Sequence, residues 1–96
     1  MGFVVEITSY QVSYSASPRI VISNGNRILG QLVFAPNGGS LPPDMQNATG
    51  QIELHYHLED FRSILDILRS GKPVFVNFTG AGPGFTNFIQ TGPRLV

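Results

Sequence analysis

Cysteine is absent from the 96 residues. Disulfides, thiolate zinc sites, iron–sulfur clusters and cysteine nucleophiles are therefore excluded, and so small a chain without disulfides points to a reducing compartment. Charge is scarce as well. Six basic and six acidic residues make up 12% of the chain and cancel to a formal net charge of zero, about half the usual charged share of ~25%. Arg19, Arg27, Arg62, Arg69, Lys72 and Arg94 do not cluster. Without a basic stripe there is little long-range pull on phosphate backbones or anionic lipid, which speaks against a nucleic-acid partner. No stretch nears the ~18 apolar residues of a membrane span, so no membrane partner is expected. Met1–Glu6 lacks a basic start, and its apolar run stops at Glu6. It does not read as a secretory leader, and the expected location is cytoplasmic.

What is present is apolar: 42% of the residues, enough for one modest core in a single domain spanning 1–96. Phe3, Val5 and Ile7 alternate with Val4, Glu6 and Thr8, and Tyr10, Val12 and Tyr14 resume the alternation in a shifted phase. That pattern is one long strand with a bulge or bend near Thr8-Ser9. Ile20-Val21-Ile22 and Ile28-Leu29 through Phe34 flank Asn24-Gly25-Asn26, a hairpin signal. Taking Asn24-Gly25 as the loop pairs Val21 with Ile28 and Ile20 with Leu29, apolar against apolar. Residues 36–50 hold three prolines and three glycines and read as a long loop, a disordered crossover between sheet edges.

In residues 51–57 the alternation points Ile52, Leu54 and Tyr56 inward and Glu53, His55 and His57 outward. The period then lengthens: Leu58, Phe61, Ile64, Leu65 and Leu68 mark an amphipathic helix over 59–70. Arg62 and Asp66 stand four apart on its wet side, and Gly71 supplies a left-handed cap. Val74–Thr79 and Phe85–Gln90 flank a glycine-rich turn. Symmetric closure pairs Val76 with Phe88, Phe75 with Ile89 and Asn77 with Asn87. The order β-β-β-β-α-β-β predicts an α+β, mainly β domain: an antiparallel sheet or small barrel of about six strands with one packed helix.

The chemistry-bearing stretch is Glu53-Leu54-His55-Tyr56-His57. Two histidines on one strand face have Cβ atoms about 6.5–7 Å apart, which two Zn–N bonds can span. Glu53 or Asp60 could supply a third ligand to a divalent metal, and no further histidine exists in the chain. The competing expectation is an ordinary solvent face with no cofactor. Gly80–Gly84 resembles a phosphate loop only in composition, because it leads into a strand rather than a helix N-terminus. No serine or threonine stands in a nucleophile motif, and the adjacent Glu59-Asp60 pair is explained by the helix dipole, so an enzyme is not expected. The surplus of apolar residues on strand faces suggests self-association. Phe75, Phe85, Phe88 and Ile89 on the last hairpin are the expected interface of a homodimer, with a protein or peptide partner also compatible. The resulting expectation is a non-enzymatic binding or assembly module. A single-stranded nucleic-acid binder on a barrel-like sheet is the runner-up, and a weak metal site at His55 and His57 the third.

Overall fold

The computed structural model describes residues 2–14, 17–71, 73–82 and 87–91. Eight strands appear among them: β1 (Phe3–Ile7), β2 (Ser9–Ser13), β3 (Arg19–Asn24), β4 (Arg27–Ala35), β5 (Met45–Gln46), β6 (Ile52–His57), β7 (Val74–Phe78) and β8 (Phe88–Thr91). A 3-10 turn at Leu58–Asp60 runs into helix α1, Phe61–Ser70. The class is α+β, mainly β, with one helix, as the residue pattern predicts. The strands form two sheets, ordered β1-β7-β8 and β2-β3-β4-β6-β5, and neither closes into a barrel. No described helix is long and apolar enough to cross a membrane.

The phase change at Thr8-Ser9 is the point where the chain leaves one sheet for the other. Thr8 and its neighbours hold that corner. The Thr8 amide donates to Ser23 O at 2.9 Å and the Asn24 amide group donates to Glu6 O at 2.9 Å, while Gly25 N donates to Thr8 Oγ1 at 2.8 Å. Side chains of the inner faces then meet between the sheets. Ile20, Ile22, Leu32, Phe34, Ile52 and Leu54 come from the larger sheet and Ile7, Val74, Val76 and Phe78 from the smaller, with Ile64 and Leu68 of α1 at the same core. Burying each of these side chains contributes roughly 1.5–3 kcal/mol. Phe34 is wedged between Tyr56, stacked at 5.9 Å, and Phe61, edge-on at 4.9 Å. Tyr14 meets the far side of Phe61 at 5.6 Å.

Both expected hairpin registers are corrected. The first loop is Gly25-Asn26, since Asn24 faces Arg27 and Ser23 faces Ile28. Gly25 has φ +58° and no described non-glycine residue has positive φ, so glycine occupies the one turn position that a side chain would strain. The ladder then shifts by one at Ile22/Ser23, leaving Leu29 as an extra residue, and continues as Ile22 opposite Gly30 and Ile20 opposite Leu32. The bulge restores the apolar pairing that the shorter register sought directly. In the second hairpin Val76 faces Ile89, Phe75 faces Gln90 and Asn77 faces Phe88. Asn87 does not pair with Asn77. Its side chain turns back to accept from Thr79 N at 2.7 Å and to donate to Gly80 O at 3.1 Å.

Two further expectations change. Gly71 has φ −90°, ψ 15°, outside the left-handed region. Glycine is needed there for space, because a Cβ would lie 2.6 Å from Thr91 Cγ2 and 2.7 Å from Ile67 O. Asp66 accepts from Arg69 at 3.0 Å, one turn of helix on, rather than from Arg62. The long segment 36–50 is a crossover, but it joins neighbouring inner strands rather than sheet edges and carries a strand of its own. β4 and β6 are parallel neighbours, and a parallel pair requires the chain to travel back the length of a strand. On the way it lays down β5 as an antiparallel edge on β6.

Candidate functional site: a polar line and a groove on the larger sheet

Strand parity puts Arg19, Val21, Gln31, Val33, Glu53, His55 and His57 on the face of the larger sheet away from the core, because their register partners alternate with Ile20, Leu32, Leu54 and Tyr56. Hydrogen bonds connect the polar members in a line. Arg19 Nη1 donates to Gln31 Oε1 at 3.4 Å, and Gln31 Nε2 donates to Glu53 Oε1 at 2.8 Å. Glu53 Oε2 stands 2.9 Å from His55 Nε2. An ionised carboxylate only accepts, so Nε2 carries the proton of this bond.

The line continues across the gap between the sheets through Asp44. Its Oδ1 accepts from the His55 backbone amide at 2.8 Å, and its Oδ2 accepts from Asn87 Nδ2 at 2.8 Å. Its backbone carbonyl accepts from Gly82 N at 2.8 Å. One residue of the crossover thus binds β6, the start of β8 and the turn after β7, and staples the edge where a barrel would have closed. The His55 side chain is only 6% exposed, and its Nδ1 lies 3.7 Å from Asp44 Oδ1, too far for a hydrogen bond. Nδ1 is the one buried side-chain nitrogen or oxygen among the described residues with no hydrogen-bond partner. On the opposite face of the same strand, burial pushes the Tyr56 phenol up to about 12, with the negative charges of Asp44 and Asp60 adding to the effect.

The residues expected from sequence divide. Glu53 and His55 come together. His57 bonds elsewhere, its Nε2 donating to Gly39 O at 2.7 Å. Asp60 is exposed in the 3-10 turn. Among the described residues no three His, Asp or Glu side chains assemble as metal ligands. Of the expected interface residues, Phe75 is 8% exposed, Ile89 packs against the core and Phe88 is 41% exposed. Phe85 lies outside the described residues. The residue that sequence reasoning missed is Asp44. It follows Pro42-Pro43 in an aperiodic stretch, and nothing in the pattern aims it at β6.

Beside the polar line, β5 and the turn after it stand up against β3 and β4 and leave an open groove of about 570 Å³. Val21, Ile28 and Met45 supply its apolar surface, with Gln31 and Glu53 at the polar end. Ile28 is 50% exposed and Met45 48%, an unusual exposure for two large apolar side chains facing one depression. The far wall is held by Asn47, whose Oδ1 accepts from Thr49 N, Thr49 Oγ1 and Gln51 N at 2.7–3.0 Å. Comparison of the chain with protein-family models, curated proteins and solved structures finds no match.

Proposed function

We propose that this chain is a non-enzymatic binding module and that the groove between β5 and the β3–β4 hairpin is where it binds. The observation that carries the reading is the groove itself. Its volume of about 570 Å³ falls in the range of small-ligand sites, which are mostly apolar with a few fixed polar groups. Glu53 is such a group, held by Gln31 on one oxygen and by His55 on the other. The histidine lies between two carboxylates and no nucleophile completes the line, which supports binding over catalysis. A cysteine-free composition suits a cytoplasmic setting.

Self-association is the second part of the proposal. It is favoured by Phe88, 41% exposed on what is, among the described residues, an edge strand of the smaller sheet, where a strand edge and an apolar side chain invite a second copy. Native mass spectrometry of the untagged chain, before and after chelator, tests both parts. A dimer that Phe88→Glu converts to monomer supports assembly through β8. Bound organic mass lost on Ile28→Lys supports the groove. A bare monomer at high micromolar concentration that takes up nothing counts against the whole reading, and mass removed by chelator would favour a metal at His55.

A further inference from the structure

We infer that the groove accepts an aliphatic stem ending in a protonated amine, an inference that rests on the binding reading above and names the chemistry of its ligand. Two observations set the class. Ile28 and Met45, each about half exposed, face a floor that includes Val21, and methionine adapts its shape to an apolar guest. The second is the sign of the charge. Among the described residues that line the groove, Glu53 alone is charged, and it is negative.

Glu53 is also oriented in advance. Its Oε1 takes one bond from Gln31 at 2.8 Å and its Oε2 one from His55 at 2.9 Å. A carboxylate offers about four acceptor positions, so two remain on a side chain 30% exposed. Several neutral polar groups of the groove are engaged nearby: Gln46 Nε2 donates to Gly50 O, Asn47 Oδ1 takes three donors, and Gln31 bridges Glu53 to Arg19. The charged acceptor of the lining is Glu53, to which an ammonium group is complementary. Anions meet the opposite sign. Arg19 stands beyond Gln31, outside the lining, and moderates the preference without reversing it.

The ammonium-on-a-stem chemistry occurs in free alkylamines and in lysine side chains of peptides, and one experiment separates them. The full chain, uniformly labelled with ¹⁵N, is titrated at pH 7 with n-hexylamine, 1-hexanol, hexanoate and a doubly blocked lysine amide. Amide shifts at Gly30, Met45 and Glu53 are followed. The expected result is binding of hexylamine about fivefold tighter than hexanol, with hexanoate weakest. Glu53→Gln equalises amine and alcohol, and Ile28→Ser weakens all probes alike. Blocked lysine matching hexylamine at the same amides assigns a lysine side chain; hexylamine alone assigns a free amine. Hexanoate binding as tightly as hexylamine, or an amine preference that survives Glu53→Gln in a variant with an intact spectrum, overturns the inference and leaves the groove standing. No shift at these amides with any probe overturns the groove as well.

Discussion

The two sheets turn different outer faces to solvent. The larger carries a line of side-chain bonds from Arg19 to His55, which the His55 backbone amide extends to Asp44. The smaller carries Val4, Glu6, Phe75, Asn77, Phe88 and Gln90, by the register of β1, β7 and β8. The polar bond found on that face joins Asn77 to Gln90 at 3.3 Å. Both faces belong to sheets whose other side is core, so the inner packing does not explain the contrast. The larger face is wired because the crossover passes over its edge and brings a carboxylate with it. Among the described residues the smaller face receives no such carboxylate, and Phe88 is left 41% exposed to solvent or to a second copy.

The sharpest way to break this contrast is to part the strands that carry the polar line. A Cβ on Gly30 would lie 2.0 Å from Ile52 O and 2.7 Å from Ile52 N. Gly30→Ala therefore forces β4 from β6 and costs about 3 kcal/mol, measurable as a fall in the denaturation midpoint, with Gln31 and Glu53 drawn apart. The contrast fails if the variant is as stable as the parent.

Removing the crossover carboxylate is the next largest change. Asp44→Ala leaves the His55 amide without its acceptor and Asn87 Nδ2 with Gly80 O alone, at a cost of about 2 kcal/mol. Hydrogen exchange should quicken at His55, while β1 amides stay protected. Equal acceleration in both sheets would mean that the staple holds the whole fold rather than one edge.

A titration sharpens the same point. The Tyr56 phenol is raised from 10.0 to about 12, by burial first and then by Asp44 and Asp60. The folded protein holds this proton more tightly than the unfolded chain. The contribution to stability is thus complete below pH 10 and is lost as pH rises towards 12. Phenolate absorbance should show Tyr56 ionising late, and Asp44→Ala should advance it. An unchanged Tyr56 titration in that variant would leave burial and Asp60 as the causes.

The smallest effect on stability is expected on the plain face. Phe88→Ser should shift unfolding by no more than about 0.5 kcal/mol, yet lower any dimer fraction seen by light scattering. Phe75→Glu would be a poor probe of the same question. Phe75 is already 8% exposed in one chain, and a buried charge unfolds a protein whether or not it dimerises.

Periodicity made the sheet faces legible. Ile52, Leu54 and Tyr56 point inward and Glu53, His55 and His57 outward as alternation requires, and the change of period at Leu58 marks the helix to within a residue or two. Register was not legible in either hairpin. The first hairpin turns one residue later than expected and then bulges at Leu29, the second pairs one residue further along β8, and side-chain alternation carries no count of such shifts. The parallel pairing of β4 and β6 was hidden for a related reason: a crossover without a helix looks like any long loop. Half of the site shared that fate. Glu53 and His55 declared themselves by spacing, whereas Asp44 is placed by where the crossover lands.

The pairing of β1 has a consequence in time. Phe3 lies opposite Phe78 and Ile7 opposite Val74, so β1 is bonded to a strand made much later than itself. During synthesis β2 to β6 can assemble while β1 waits for β7 to emerge. Such distant pairing makes folding slow, and until it occurs Phe3, Val5 and Ile7 remain an uncovered apolar edge in the growing chain. Chains stalled on the ribosome before residue 74 should therefore be the ones that need a chaperone.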